Sequence, residues 1–117
     1  MMTPEGKIKQ EVQKLLNRYG VYAFRPVQMG YGMAALDFHC VVRTQFLAMA
    51  FFIETKKPDK SPTKRQDELI DMLEEKYGAK VFVIRNMIDV SELAKWLSKV
   101  RYEPPGKSRT DGSLESE

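Results

Sequence analysis

The chain has almost no sulfur chemistry available to it. One cysteine, Cys40, stands among 117 residues. An intramolecular disulfide is therefore impossible, and a zinc site built on cysteines is excluded. Long apolar runs are missing too: none approaches the ~20 residues that a membrane-crossing helix needs. The opening residues, Met1-Met2-Thr3-Pro4-Glu5, lack the apolar segment of a secretory signal. No internal repeat is present. These absences make a reducing cytoplasm the expected compartment.

What is present fits one soluble globular domain with one modest core. Hydrophobic residues make up 43% and charged residues 30%, an ordinary globular balance. The net charge of +3 is unevenly spread. Residues 103–117 carry two basic and four acidic residues, against 19 and 16 in the whole chain, so the rest has a net charge of +5. This closing stretch, with Pro104-Pro105 and mixed charge, is expected to be disordered, leaving residues 1–102 as the domain. Residues 56–65 hold Lys56, Lys57, Lys60, Lys64 and Arg65 against Asp59 alone. Such a loop suits a polyanionic partner, and it can equally be a solvated surface loop.

Hydrophobic periodicity predicts the element order α-β-β-β-α-β-α. A first helix from Pro4 to Tyr19 carries Ile8, Val12, Leu15, Leu16 and Tyr19 at helical spacing, with Thr3 as cap and Gly20 as stop. Strands are expected at Val21–Phe24, at Leu36–Val42, and along the apolar run from Phe46 to Lys56. A second helix starts near Pro62 with Ser61 as cap and has Leu69, Ile70, Met72, Leu73 and Tyr77 on its face. Lys80–Arg85 reads as a strand. A last helix covers Val90–Val100, with Asp89 and Glu92 spaced as a capping box. Three meandering strands, a crossover helix and a fourth strand make a mixed α/β (α+β) fold with helices packed on a mixed sheet.

Chemistry concentrates at the end of the long apolar run. Residues i and i+2 of a strand share a face, so Glu54 and Lys56 point the same way where the element is otherwise hidden. Buried charge is costly unless paired or bound to a metal. Antiparallel pairing brings Asp37 beside Glu54. Two carboxylates and the backbone carbonyl of Thr55 could hold a hard cation such as Mg²⁺ or Mn²⁺. That ion would polarise a phosphate and orient a water, and Lys56 could hold the water or steady the phosphate charge. Glu5 and Gln66 are polar residues at the leading ends of two inward helix faces. Glu5 has two readings, a solvated first turn favoured by the helix dipole or a contact to a metal or a site water. His39 shares the strand face of Asp37, either as a packed histidine or as a contact to metal or substrate. Cys40 reads as core, as does Trp96. Tyr31 and Arg25 could contact nucleic acid or be plain surface residues.

In this order the residues resemble a known family. Asp37, then Ile53-Glu54-Thr55-Lys56, then Gln66 on the following helix resemble the PD-(D/E)XK nuclease superfamily, and more closely its VRR-NUC domain. Pro4-Glu5-Gly6-Lys7, Gly30-Tyr31-Gly32 before Asp37-Phe38, and Ser61-Pro62-Thr63 complete the match, which runs from about Pro4 to Arg85. The resemblance implies a restriction-endonuclease-like core and metal-dependent endonuclease activity. It implies Glu5, Asp37 and Glu54 as metal-site acids, Lys56 as the catalytic lysine and Gln66 as a supporting residue. It further implies a stand-alone, virus-type, homodimeric enzyme acting on branched DNA such as four-way junctions. The competing expectation is a non-catalytic nucleic-acid-binding or accessory module on the same fold, using the basic residues Lys57, Lys60, Lys64 and Arg65.

Overall fold

The computed structural model describes residues 3–26, 35–57 and 63–103. Within them the elements run α1 (Pro4–Arg18), β1 (Tyr22–Phe24), β2 (Phe38–Arg43), β3 (Ala48–Thr55), α2 (Lys64–Asp71), β4 (Lys80–Ile84) and α3 (Met87–Val100). The order α-β-β-β-α-β-α is the expected one. The sheet is four-stranded and mixed, in the order β1-β2-β3-β4. The first three strands pair antiparallel, and β4 pairs parallel to β3. Residues Met1, Gln28 to Gly32 (with Tyr31), Lys60, Ser61, Pro62 and 104–117 lie outside the described residues, as do the expectations attached to them.

Local chemistry explains the boundaries. Thr3 caps α1, its hydroxyl accepting from the Gly6 amide at 3.0 Å. Gly20 ends that helix with φ +67°, a backbone conformation in which side-chain-bearing residues are strained. On α1 the stripe Ile8, Val12, Leu15 and Leu16 is buried. Those residues meet Phe38, Cys40, Val42, Phe51, Ile53 and Ile84 of the sheet and Val90, Leu93 and Leu97 of α3 in one core. Burial of that apolar surface is the main force fixing α1 and α3 against the sheet. Trp96 packs edge-on against Phe51 and Phe82, with ring centroids 5.0 and 5.1 Å away. Burial pushes the Cys40 thiol up to about 12, in keeping with a core role.

Several boundaries differ from those the periodicity predicts. Phe46 and Leu47 belong to the β2–β3 turn rather than to the strand, where Thr44 accepts from both their amides. Phe46 is 85% exposed. The turn offers them no partner element, so their hydrophobicity does not bury them. The second helix is capped by Thr63 and begins at Lys64. From Met72 to Lys76 it continues as a π-helical stretch, whose wider turns break the 3.6-residue phase. Tyr77, which follows that stretch, is accordingly exposed instead of lying on the inward face; Met72, still in α-helical phase at its start, is exposed at the edge of the stripe. The last helix starts three residues before Val90, because Asn86 is its cap and accepts from the Asp89 amide at 2.9 Å. Asp89 lies within the first turn and accepts from the Arg85 amide. Among the described residues, no helix is long and apolar enough to cross a membrane.

Candidate functional site

The register of the central hairpin sets the site. Phe38 pairs with Ile53, so Asp37, one residue before β2, comes level with Glu54. Asp37 thus approaches β2 without belonging to it, which leaves its amide free of the ladder. That amide donates to Glu54 Oε1 at 3.1 Å. In return, Asp37 Oδ2 accepts from Thr55 twice, from its amide at 2.9 Å and from its hydroxyl at 2.6 Å. The two strand ends are cross-tied by carboxylates.

Glu54 is 2% exposed. Its second oxygen, Oε2, accepts from Gln66 Nε2 at 2.7 Å and lies 3.3 Å from Lys56 Nζ. Glu54 and Lys56 therefore share a face, as their spacing predicts. Burial raises the Glu54 carboxyl above its ordinary value, and the nearby Asp37 charge raises it further. Lys56 and the Asp37 amide oppose that shift.

Gln66 is held from behind. It is the third residue of α2, and Thr63 and Gln66 form a reciprocal capping box. Its side-chain oxygen accepts from the Thr63 amide at 3.0 Å. This fixes the amide group so that its NH₂ faces Glu54. A helix cap and the pocket are thereby one hydrogen-bonded unit.

Four chain segments converge on one pocket of about 280 Å³. Glu5 comes from the start of α1, Asp37 from the approach to β2, Glu54 and Lys56 from the end of β3, and Arg65 and Gln66 from the start of α2. Lys9, one turn after Glu5, places its ammonium 3.8 Å from Glu5 Oε2 and 3.8 Å from Asp37 Oδ1. A larger pocket of about 620 Å³ lies between the start of α1 and the β4–α3 connection. It contains no such convergence of acids with a lysine.

The expected residues fare differently. Asp37, Glu54, Lys56, Gln66 and Glu5 are brought together. Thr55 participates through its amide and hydroxyl, a role that Glu-x-Lys spacing does not reveal. Arg65 lines the pocket, while Lys57 and Lys64 are exposed beside it in sequence. His39 is not in the pocket. It packs edge-on between Phe52 and Phe24, at 5.2 and 6.2 Å, and burial lowers its pKa. Arg25 lies over the Phe38 ring at 4.9 Å. Lys9 is not among the residues that the sequence singles out, although its i,i+4 spacing from Glu5 is a signal for it.

The donor set suits a hard divalent ion in kind: three carboxylates line the pocket, one of them nearly buried. Most carboxylate oxygens already have protein partners. Among the described residues, no three His, Cys, Asp or Glu side chains form a ready metal-holding group. Neither a family model, nor a curated protein, nor a solved structure matches the chain.

Proposed function

We propose that the chain is a Mg²⁺- or Mn²⁺-dependent endonuclease of the PD-(D/E)XK superfamily, of the VRR-NUC type, that hydrolyses phosphodiester bonds in branched DNA such as four-way junctions. One observation carries this reading. Two carboxylates and an ammonium, Asp37, Glu54 and Lys56, converge in a pocket at the end of a central strand, with Gln66 locked against them. The element order and mixed sheet are compatible with a restriction-endonuclease-like core.

On this reading Glu5, Asp37 and Glu54 hold the ion, with the carbonyl of Thr55 as a further oxygen. When bound, such an ion neutralises phosphate charge and makes a water more acidic. Thr55 orients Asp37 through two donated hydrogen bonds. Gln66 orients Glu54. Lys56, with its side chain 18% exposed, donates to the attacking water or to the phosphate oxygen on which charge develops. Arg65, Lys57, Lys64 and Lys60 track the DNA backbone by pairing with phosphates, joined by Tyr31. A junction needs two cuts and the described residues form one such pocket, so a two-fold homodimer would match the substrate.

A second reading has its own support. Both Glu54 oxygens and Asp37 Oδ2 are already satisfied by protein donors, as they would be in an accessory nucleic-acid-binding module that uses its acids structurally. Labelled duplex, flap, splayed-arm and four-way substrates, each incubated with Mg²⁺, Mn²⁺ or EDTA, separate the two. The nuclease reading expects cleavage of branched substrates that EDTA abolishes. Binding without cleavage under all three conditions would favour the accessory module.

A further inference from the structure

We propose that Lys9 is a built-in counter-cation of the metal-free site, holding Glu5 and Asp37 together before a divalent ion arrives and competing with that ion once it does. The inference rests on the metal-dependent reading above and adds a residue that sets metal affinity.

The geometry at Asp37 leads to it. Oδ2 of this residue is taken by the Thr55 amide and hydroxyl, so Oδ1 is the oxygen turned elsewhere. Lys9 Nζ stands 3.8 Å from Oδ1 and 3.8 Å from Glu5 Oε2. Glu5 and Asp37 come from segments far apart in the chain, and one ammonium bridges them. Both side chains are largely shielded, at 30% and 20% exposure, and Lys9 itself is at 30%. Without a cation between them, two carboxylates facing one pocket repel each other.

The same position makes Lys9 an obstacle. Oxygen ligands hold Mg²⁺ at about 2.1 Å. An ammonium 3.8 Å from those oxygen atoms would therefore stand within about 6 Å of an ion they bind. Even at the dielectric constant of water, a single charge that close to a divalent ion weakens binding by about tenfold. Lys9 either stays and repels the ion or swings out to solvent and gives up its two ion pairs, and both weaken binding. Lys56 is different: its ammonium partners Glu54, and it keeps a role in the loaded site.

The experiment is calorimetric titration of Mn²⁺ alone into the full chain, for the unaltered protein, Lys9→Met, Lys9→Gln and Lys9→Arg. Melting is followed in EDTA alongside, and DNA binding is measured in EDTA. Lys9→Met and Lys9→Gln are expected to bind Mn²⁺ about tenfold more tightly, while Lys9→Arg stays near the unaltered protein. In EDTA the two neutral variants are expected to melt lower, and Mn²⁺ to raise their melting temperature by more. If Mn²⁺ affinity is unchanged or weaker in both folded neutral variants, the inference falls and the nuclease reading stands. If those variants instead bind DNA more weakly in EDTA at constant Mn²⁺ affinity, Lys9 pairs with phosphate and the inference again falls. If no protein, unaltered or variant, binds Mn²⁺, the metal-dependent reading fails and takes this inference with it.

Discussion

Thr55 grips Asp37 by two donors at once, its amide at 2.9 Å and its hydroxyl at 2.6 Å, both on Oδ2. Thr55 is fully buried, so the hydroxyl has no solvent to turn to. Hydrogen bonds to charged groups contribute about 1.5–3 kcal/mol. Thr55→Val keeps the shape and the amide bond but removes the hydroxyl. It is expected to lower unfolding free energy by roughly 2 kcal/mol, read by urea denaturation. An unaltered urea midpoint would show that the hydroxyl contributes nothing to holding Asp37.

Asp37→Asn tests the carboxylate without dismantling this grip, because an amide oxygen can still accept from Thr55. The variant is expected to fold normally by circular dichroism and to lose cleavage. It removes the charge that helps raise Glu54, so the Glu54 carboxyl, followed by carbon NMR, should titrate lower than in the unaltered protein. Undiminished cleavage in the folded variant would remove Asp37 from the metal site. Glu54→Gln is the harsher change, since it can set an NH₂ against Gln66 Nε2 or Lys56.

Glu54 also predicts a pH dependence with a definite sign. Its folded-state pKa is raised from 4.5. Such a carboxyl contributes stability below its unfolded value and loses that contribution as pH rises through the folded value. In EDTA, the stability difference between the unaltered protein and Glu54→Gln should therefore shift against the unaltered protein as pH climbs from 4.5 through the raised value. Metal binding needs the ionised form, so Mn²⁺ affinity should rise over the same window and then level off. A pH-independent Mn²⁺ affinity would mean that Glu54 does not ligate.

Lys56→Ala should reduce cleavage rate by about 10²-fold, the scale for removing one electrostatic donor to developing charge, with a much smaller drop in DNA affinity. Equal reductions in single-turnover rate and in binding would leave Lys56 only a phosphate-pairing role. Neutralising Lys57, Lys60 and Lys64 should do the reverse. DNA binding should weaken and its salt dependence flatten, by about 0.9 in slope for each phosphate that the protein no longer neutralises. An unchanged slope would put the DNA on another surface.

The pocket is legible in the sequence where its logic is local or follows from pairing. Glu54 and Lys56 share a face because strands alternate. Asp37 meets Glu54 because antiparallel strand ends meet, and Gln66 faces inward because helices repeat. Other features depend on partners that periodicity does not contain. Phe46 and Leu47 look like strand core until the turn leaves them uncovered. Tyr77 fits a helical stripe that the π-helical stretch breaks. The start of α3 is hidden because Met87 and Ile88 sit exposed, so the apolar stripe begins later than the helix. The Lys9 bridge and the Thr55 hydroxyl need the third dimension, since each joins residues from different elements.

The capping box at the start of α2 carries a consequence for which residue can stand at position 66. Glutamate closes a capping box as well as glutamine does, so helix formation alone leaves the choice open. The neighbour does not. With its oxygen committed to the Thr63 amide, the side chain must offer a hydrogen to Glu54 at 2.7 Å, and a carboxylate has none to offer. A single exchange of NH₂ for O⁻ at that spot would leave α2 intact while setting two negative groups face to face.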